Sequence, residues 1–408
     1  MSNFITEIKI GKVRHLENID IVLGDNKKHL ILTGKNGSGK TSILNEIDFL
    51  LNKYIDNTLP PMIKKYHELE EKEVRLFNEN YNSTEYKTTN IEFIKVEDII
   101  LKLSNVYLYF NDELEVCQKI IDGKFILVYF KAQRQITPNH VTTTTRLKFN
   151  LLNDTTVQLN KQFIQYLVNL KTSQAFAQIR GNKNKVEVIN QWFSHFENIL
   201  KKLFDSEVLN LVFYDEIFEF KIEYEGKSFG LNELSDGYSS ILAILTELIL
   251  RMEVHHVNAY NVEGVVLIDE IETHLHVELQ KNILPLLTSF FPNIQFIVTT
   301  HSPFVLQSID NSIVFDLERK EQLSGDKLIN ASYTQIVKNY FQLDSEFSSI
   351  LENEIKQYEI LINKLDSNIN EDEEKELLNL DLKLEKITPM LSDVIYLKFK
   401  QLQDRLRA

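Results

Sequence analysis

Gly34-Lys35-Asn36-Gly37-Ser38-Gly39-Lys40-Thr41 is the stretch on which the fold turns: a glycine, four free positions, then Gly-Lys-Thr, the spacing of a phosphate-binding loop. Glycines there let backbone N–H groups converge on phosphate oxygens with no Cβ in the way, and the helix that follows presents its positive N-terminal end. Asn36, Gly37, Ser38 and Gly39 are the expected cradle, Lys40 the cation for the β- and γ-phosphates of a nucleotide, and Thr41 a Mg²⁺ ligand. The flanks fit: His29-Leu30-Ile31-Leu32-Thr33 reads as a buried strand, and Ser42-Ile43-Leu44-Asn45-Glu46-Ile47 as a helix.

Upstream of the loop, Phe4 to Ile10 and Ile19 to Leu23 alternate apolar and polar residues, predicting two strands around a turn between Gly11 and Asn18. Downstream, Pro60-Pro61 breaks the chain, and Met62 to Asn80 is charged and helix-favouring, with a solvated face. Thr89 to Ile136 is expected to be strand-like, with Val106 to Phe110 and Phe125 to Phe130 separated by Asp122-Gly123, as an antiparallel sheet appended to the core. It ends in the polar step Lys131-Ala132-Gln133-Arg134-Gln135. Asp154 to about Asp205 has helical periodicity through Phe163, Leu167, Leu170, Trp192, Phe196 and Leu200. Its basic residues (Arg180, Lys183, Lys185, Lys201, Lys202) read as a solvated helix surface, because they do not alternate with exposed aromatics as a nucleic-acid patch does. Leu209 to Tyr224 predicts a hairpin.

Two apolar strands then end in chemistry. Val265-Val266-Leu267-Ile268 runs into Asp269-Glu270, and Phe296-Ile297-Val298 into Thr299-Thr300-His301-Ser302-Pro303. Beside a phosphate loop, Asp269 is suited to hold Mg²⁺, Glu270 to orient or deprotonate the attacking water, and His301 to hydrogen-bond the γ-phosphate. Between loop and carboxylates lies Leu234-Ser235-Asp236-Gly237, which opens a strongly apolar helix over Ile241 to Met252. The last part differs in kind. Leu351, Ile355, Tyr358, Ile362, Leu365 and Ile369 alternate spacings of four and three, as do Leu377, Leu380, Leu384, Ile387, Leu391 and Val394, predicting a helical hairpin whose second arm Pro389 interrupts.

The chain has 408 residues and a formal net charge of −14, so as a whole it repels nucleic acid. Its one cysteine, Cys117, excludes an internal disulfide and a multi-cysteine zinc site. Met1 to Glu7 lacks a basic start followed by an apolar run, and no segment approaches the ~20 apolar residues of a membrane span, so no signal peptide, no membrane and a cytoplasmic location are expected.

In their order and spacing these motifs resemble the ABC-type ATPase head of structural-maintenance-of-chromosomes, Rad50, RecF and OLD-like proteins, a group catalogued among the AAA-type ATPases of bacterial defence systems. The resemblance covers roughly residues 1 to 320. It implies an α/β P-loop fold: an ABC-type ATPase head over residues 1–342, with inserted β and helical lobes at about 55–230, and a C-terminal helical hairpin over 343–408 that contacts an oligomer or effector. It also implies two heads sandwiching two ATP molecules, with Ser235 and Gly237 on the partner's γ-phosphate and Gln133, or alternatively Gln135, near Mg²⁺ and the attacking water. Glu272-Thr273-His274-Leu275-His276 resembles the family's head-to-head segment.

Roughly 190 residues separate loop and signature, too few for a long coiled-coil arm once the sheet and helices are placed. There is no Cys-x-x-Cys for a zinc hook, and no Asp-x-Asp strand after His301 for an OLD-type nuclease centre. What remains resembles the ATPase subunits of two-component phage-defence systems of the Septu or PARIS kind, which implies an ATP-gated sensor or regulatory subunit and a separate nuclease effector such as an HNH protein. Two alternatives stay open: a RecF-type repair ATPase binding DNA, or RNA, through a local basic groove, and a transporter nucleotide-binding subunit.

Overall fold

In chain order the first half contains β1 (Ile5–Val13), β2 (Leu16–Val22), β3 (His29–Thr33), α1 (Lys40–Ile55), α2 (Pro60–Asn80), α3 (Thr84–Leu103), β4 (Val106–Phe110), α4 (Glu113–Ile121) and β5 (Phe125–Phe130). Then come α5 (Phe163–Ile179), α6 (Lys183–Phe204), β6 (Asn210–Tyr214), β7 (Glu219–Tyr224), β8 (Lys227–Gly230), α7 (Asp236–Glu253), β9 (Glu263–Ile268), α8 (Val277–Phe290), β10 (Ile294–Thr299), β11 (Ser312–Asp316) and β12 (Glu321–Ser324). The computed structural model describes residues 2–134, 141, 143, 159–253, 262–331, 335–336, 349–364, 370–386 and 393–407. Residues 1–333 and 334–408 form two compact units.

The first unit is built on a six-stranded sheet of order β12-β11-β3-β10-β9-β5. All neighbours pair parallel except β11 with β12. Parallel strands are covered on both faces and so read as unbroken apolar runs; β3, β10 and β11 are buried at every residue. A second, antiparallel sheet, β2-β1-β4, lies over α1, and Ile43, Leu44 and Ile47 of that helix share one buried cluster with Ile8, Ile10, Ile21, Leu108, Leu30 and Leu267 from the two sheets. Gln295, fully buried on β10, ties the sheets together: its Nε2 donates to Ile5 O (3.0 Å) and Lys28 O (2.7 Å), and its Oε1 accepts from Ile5 N (2.7 Å).

The region expected to be strand-like from Thr89 to Ile136 is corrected in two ways. Thr84–Leu103 is a helix, with Ser83 Oγ capping it by accepting from Tyr86 N, and it packs against α2. The two strong strands do not pair with each other. β4 joins β1 antiparallel, while β5 pairs parallel with β9, Phe125 opposite Glu263 and Phe130 opposite Ile268. The inserted β region is therefore partly the edge of the nucleotide core itself. The run Phe125-Ile126-Leu127-Val128 is buried throughout and lacks the alternation of a half-exposed strand. Gln135 and Ile136 lie outside the described residues.

Helices α5 and α6 pack through Phe163, Trp192 and Phe196, whose rings lie 5.1–6.5 Å apart. Trp192 Nε1 donates to Glu253 Oε1 at 2.8 Å, fixing α6 to the end of α7. The hairpin expected between Leu209 and Tyr224 is present as β6 and β7, extended by β8.

In the second unit the predicted second arm is two helices, Glu371–Leu384 and Asp393–Arg407, beside Ser349–Lys364. Ile355, Tyr358, Ile362, Leu377, Leu384, Phe399 and Leu402 form its core, and a capping box of Asn370 and Glu373 starts the middle helix. Leu365, Ile369, Ile387, Pro389 and Leu391 lie outside the described residues, as does the side chain of Val394. Among the described residues no helix is long and apolar enough to cross a membrane.

Candidate functional site: a phosphate loop facing two carboxylates

The loop leaves the end of β3 and enters α1 at Lys40 with Gly34 at φ 139° and Gly39 at φ 99°, conformations that L side chains rarely adopt. A Cβ at Gly39 would lie 2.7 Å from Leu16 Cδ1, because the β1–β2 turn with His15 covers the loop, and one at Gly34 would lie 2.8 Å from Ser38 Oγ. Lys40 folds back over the loop, its Nζ donating to Gly34 O (2.8 Å) and Lys35 O (3.1 Å). Burial lowers its pKa from the usual lysine value, against the pull of Glu270, Glu272, Asp269 and Asp316. Ser38 Oγ is buried with no partner among the described residues. An unpaired buried hydroxyl and a buried ammonium in a glycine cradle fit an anionic oxygen, so the residues present suit a nucleotide phosphate. Asn36 and Gly37 are exposed at the crest of the loop.

The carboxylates follow the end of β9. Asp269 N donates to Phe130 O (2.8 Å), which closes the strand pair with β5. Its carboxylate accepts from Thr41 Oγ1 (3.2 Å to Oδ1, 3.0 Å to Oδ2) and from Thr299 Oγ1 (2.6 Å to Oδ1). The fully buried Thr299 hydroxyl also accepts from Glu270 N at 2.7 Å, so one threonine on β10 registers both acidic residues. Glu270 sits at φ 45°, and its Oε2 accepts from Thr273 Oγ1 at 3.4 Å. His301 is half-buried, its backbone N–H donates to Glu272 Oε1, and burial followed by the charge of Lys40 lowers its pKa against the opposing carboxylates Glu272, Glu270 and Asp269. The imidazole is therefore neutral at pH 7, able to donate from one ring nitrogen and accept at the other.

Thr41, Lys40, Asp269, Glu270 and His301 are thus brought together across the ends of β3, β9 and β10. Gln133 is solvent-exposed just beyond β5. Ser235 is exposed at the start of α7, and Gly237 is buried where a Cβ would meet His274 O at 2.9 Å. The signature therefore packs on the turn that follows the carboxylates. Sequence reasoning assigned no individual role to four residues. Thr299 was visible as the end of an apolar strand, Glu272 as part of the segment after the carboxylates, and Asp316, 2 % exposed beside Gly34, as the end of β11. Arg134, 9 % exposed, carries no pattern in the sequence that marks its position.

A parallel sheet whose strands end at a phosphate loop and at paired carboxylates defines a domain of the P-loop ATPase fold. The chain belongs to the family of AAA domains described as putative AbiEii toxin, type IV TA system, which matches residues 56–307. It is 28% identical over 398 residues to the Septu protein PtuA of Bacillus mycoides (strain KBAB4), covering 94% of this chain and 50% of that protein. It is 35% identical over 126 residues to the retron Ec83 probable ATPase of Escherichia coli, covering 30% of this chain and 23% of that one. The chain thus spans half or less of the length of these curated relatives. Among solved structures, an Smc head bound to the C-terminal winged-helix domain of ScpA aligns at a TM-score of 0.40 with 14% identity, covering 80% of this chain and all of that one.

Proposed function

We propose that this chain binds and hydrolyses ATP with Mg²⁺, that two copies close on two nucleotides, and that this closure makes it the ATP-gated sensor or regulatory subunit of an anti-phage defence complex with a separate nuclease effector. The observation that carries the reading is the bonded path from Thr41 of the loop through Asp269 to Thr299 and Glu270. Thr41 and Asp269, with Gln133, would hold Mg²⁺, which neutralises charge between the β- and γ-phosphates when bound. Lys40 would release its two loop carbonyls for the phosphates, with Asn36 to Gly39 cradling them. Glu270 would orient and deprotonate water, and neutral His301 would donate to the γ-phosphate. Ser235 and Gly237 would complete the partner's site. The packing of Gly237 against His274 O, on the turn that follows the carboxylates, supports this assignment, since that turn belongs to the expected head-to-head segment. The C-terminal helices, from about residue 343 onward, would contact a second copy or the effector. The similarity to a Septu protein supports the defence role.

Replacing Glu270 by Gln keeps the hydrogen-bonding shape but removes the base, so ATP should be retained and a dimer should accumulate with ATP and Mg²⁺. Light scattering coupled to size exclusion reads the outcome. A monomer under those conditions overturns the sandwich.

A further inference from the structure

Besides Thr299, the turn bearing Glu270 is held through its carbonyls by the side chain of Arg134. Arg134 Nη1 donates to Asp269 O at 2.8 Å, and its Nη2 to Glu270 O at 3.0 Å and Ile271 O at 2.9 Å, so one guanidinium binds three successive carbonyls. The same Nη1 also donates to Lys131 O at 3.1 Å, with a longer contact to Ala132 O at 3.5 Å, in its own loop. Burial lowers the Arg134 pKa to about 10, with Glu272, Asp269 and Glu270 pulling the other way, so the cation persists at neutral pH. A charge is costly to bury, and here its partners are neutral carbonyls rather than a carboxylate in a salt bridge. Three carbonyls pointing the same way at a turn, with Glu270 at φ 45°, form a conformation that nothing in Asp269-Glu270-Ile271 favours by itself.

We infer that Arg134 is a positioning residue for hydrolysis: it imposes the turn that aims the Glu270 carboxylate, and it ties that turn to the Lys131–Gln133 loop, so that displacement of one is felt by the other. The inference rests on the reading of Glu270 as the residue that activates water. Arg134 does not reach the loop carbonyls that Lys40 occupies, so nucleotide affinity should be independent of it. Lysine cannot substitute fully, since a single ammonium lacks the planar fork that spans three carbonyls.

Arg134→Ala and Arg134→Lys are compared with the wild type in three measurements: ATP affinity, steady-state ATP turnover, and amide hydrogen exchange of the 269–276 segment without nucleotide. Each is repeated with millimolar guanidinium. The expected result for Arg134→Ala is ATP affinity within about threefold of wild type, kcat lower by about a hundredfold, exchange of the segment faster by at least about tenfold, and partial recovery of both by guanidinium. Arg134→Lys should fall between. Unchanged exchange in a folded Arg134→Ala, or exchange that rises across the whole protein with no rescue, overturns the inference. If Arg134→Ala does not fold, Arg134→Lys decides: normal kcat and normal exchange in that variant also overturn it. Absence of turnover in the wild type refutes the hydrolysis reading alone, because the exchange measurement still tests the clamp.

Discussion

Thr299 offers the sharpest test of how the site is built, because a single hydroxyl serves both acidic residues and the side chain is fully buried. Valine is nearly isosteric, so Thr299→Val removes two hydrogen bonds without opening a cavity. The bond to the Asp269 carboxylate is charge-assisted, about 1.5–3 kcal/mol, and the one accepted from Glu270 N is an ordinary bond of about 1 kcal/mol. The summed loss is about 2.5–4 kcal/mol. Thr299→Ser keeps both bonds and loses only a buried methyl, about 1 kcal/mol. Urea unfolding should therefore place the valine variant about 1.5–3 kcal/mol below the serine variant, a factor of about 10–160 in the folding equilibrium. Thr41 still donates to Asp269 in both variants, so ATP should bind both while turnover falls selectively in the valine variant. Equal stability and equal turnover in the two variants would refute the role given to this hydroxyl.

Lys40→Ala strips the donor from Gly34 O and Lys35 O and the cation from the loop; equilibrium titration should find no ATP binding, and unchanged affinity would sink the phosphate-site assignment. Gly39→Ala forces a Cβ onto φ 99° and against Leu16, which should cost about 1–2 kcal/mol in chemical unfolding and weaken ATP binding with it. His29 is buried, and its Nδ1 accepts from Phe296 N at 3.0 Å; burial, with Lys27 adding to it, pushes its pKa down to about 3. The folded protein then leaves it neutral where the unfolded chain takes up a proton, so its stability contribution is complete above about pH 6.5 and is lost toward pH 3, by up to about 1.4 kcal/mol per pH unit. Urea unfolding between pH 7 and 4 should show a flatter decline for His29→Gln than for the wild type.

Much of the site was legible because its chemistry sits at strand ends that are unmistakable in sequence. Apolar runs of three or four residues ending in Asp269-Glu270 or Thr299-Thr300-His301 predict buried parallel strands whose last residues emerge at one edge of a sheet. The misreading of Thr84–Leu103 has a local cause: Ile91, Ile94, Ile99 and Leu101 are exposed on a helix that buries only Thr89 and Val96, so its periodicity carries little signal. β5 was legible as a strand and misplaced in topology, since an apolar run says that both faces are covered and leaves its neighbour unnamed.

By itself the sequence determined the phosphate loop, the strand ends that carry carboxylates and histidine, and the helical heptads near the C-terminus, because each depends on residues close together in the chain. Only the tertiary structure decided that β5 borders β9, that Thr299 bridges Asp269 and Glu270, and that Arg134 grips the turn between them. Those contacts span 29 to 138 positions, and hydrogen bonds to backbone atoms leave no residue pattern from which a partner could be read. The phosphate loop therefore announced a nucleotide site, while the geometry that aims Glu270 came from residues that no motif marks.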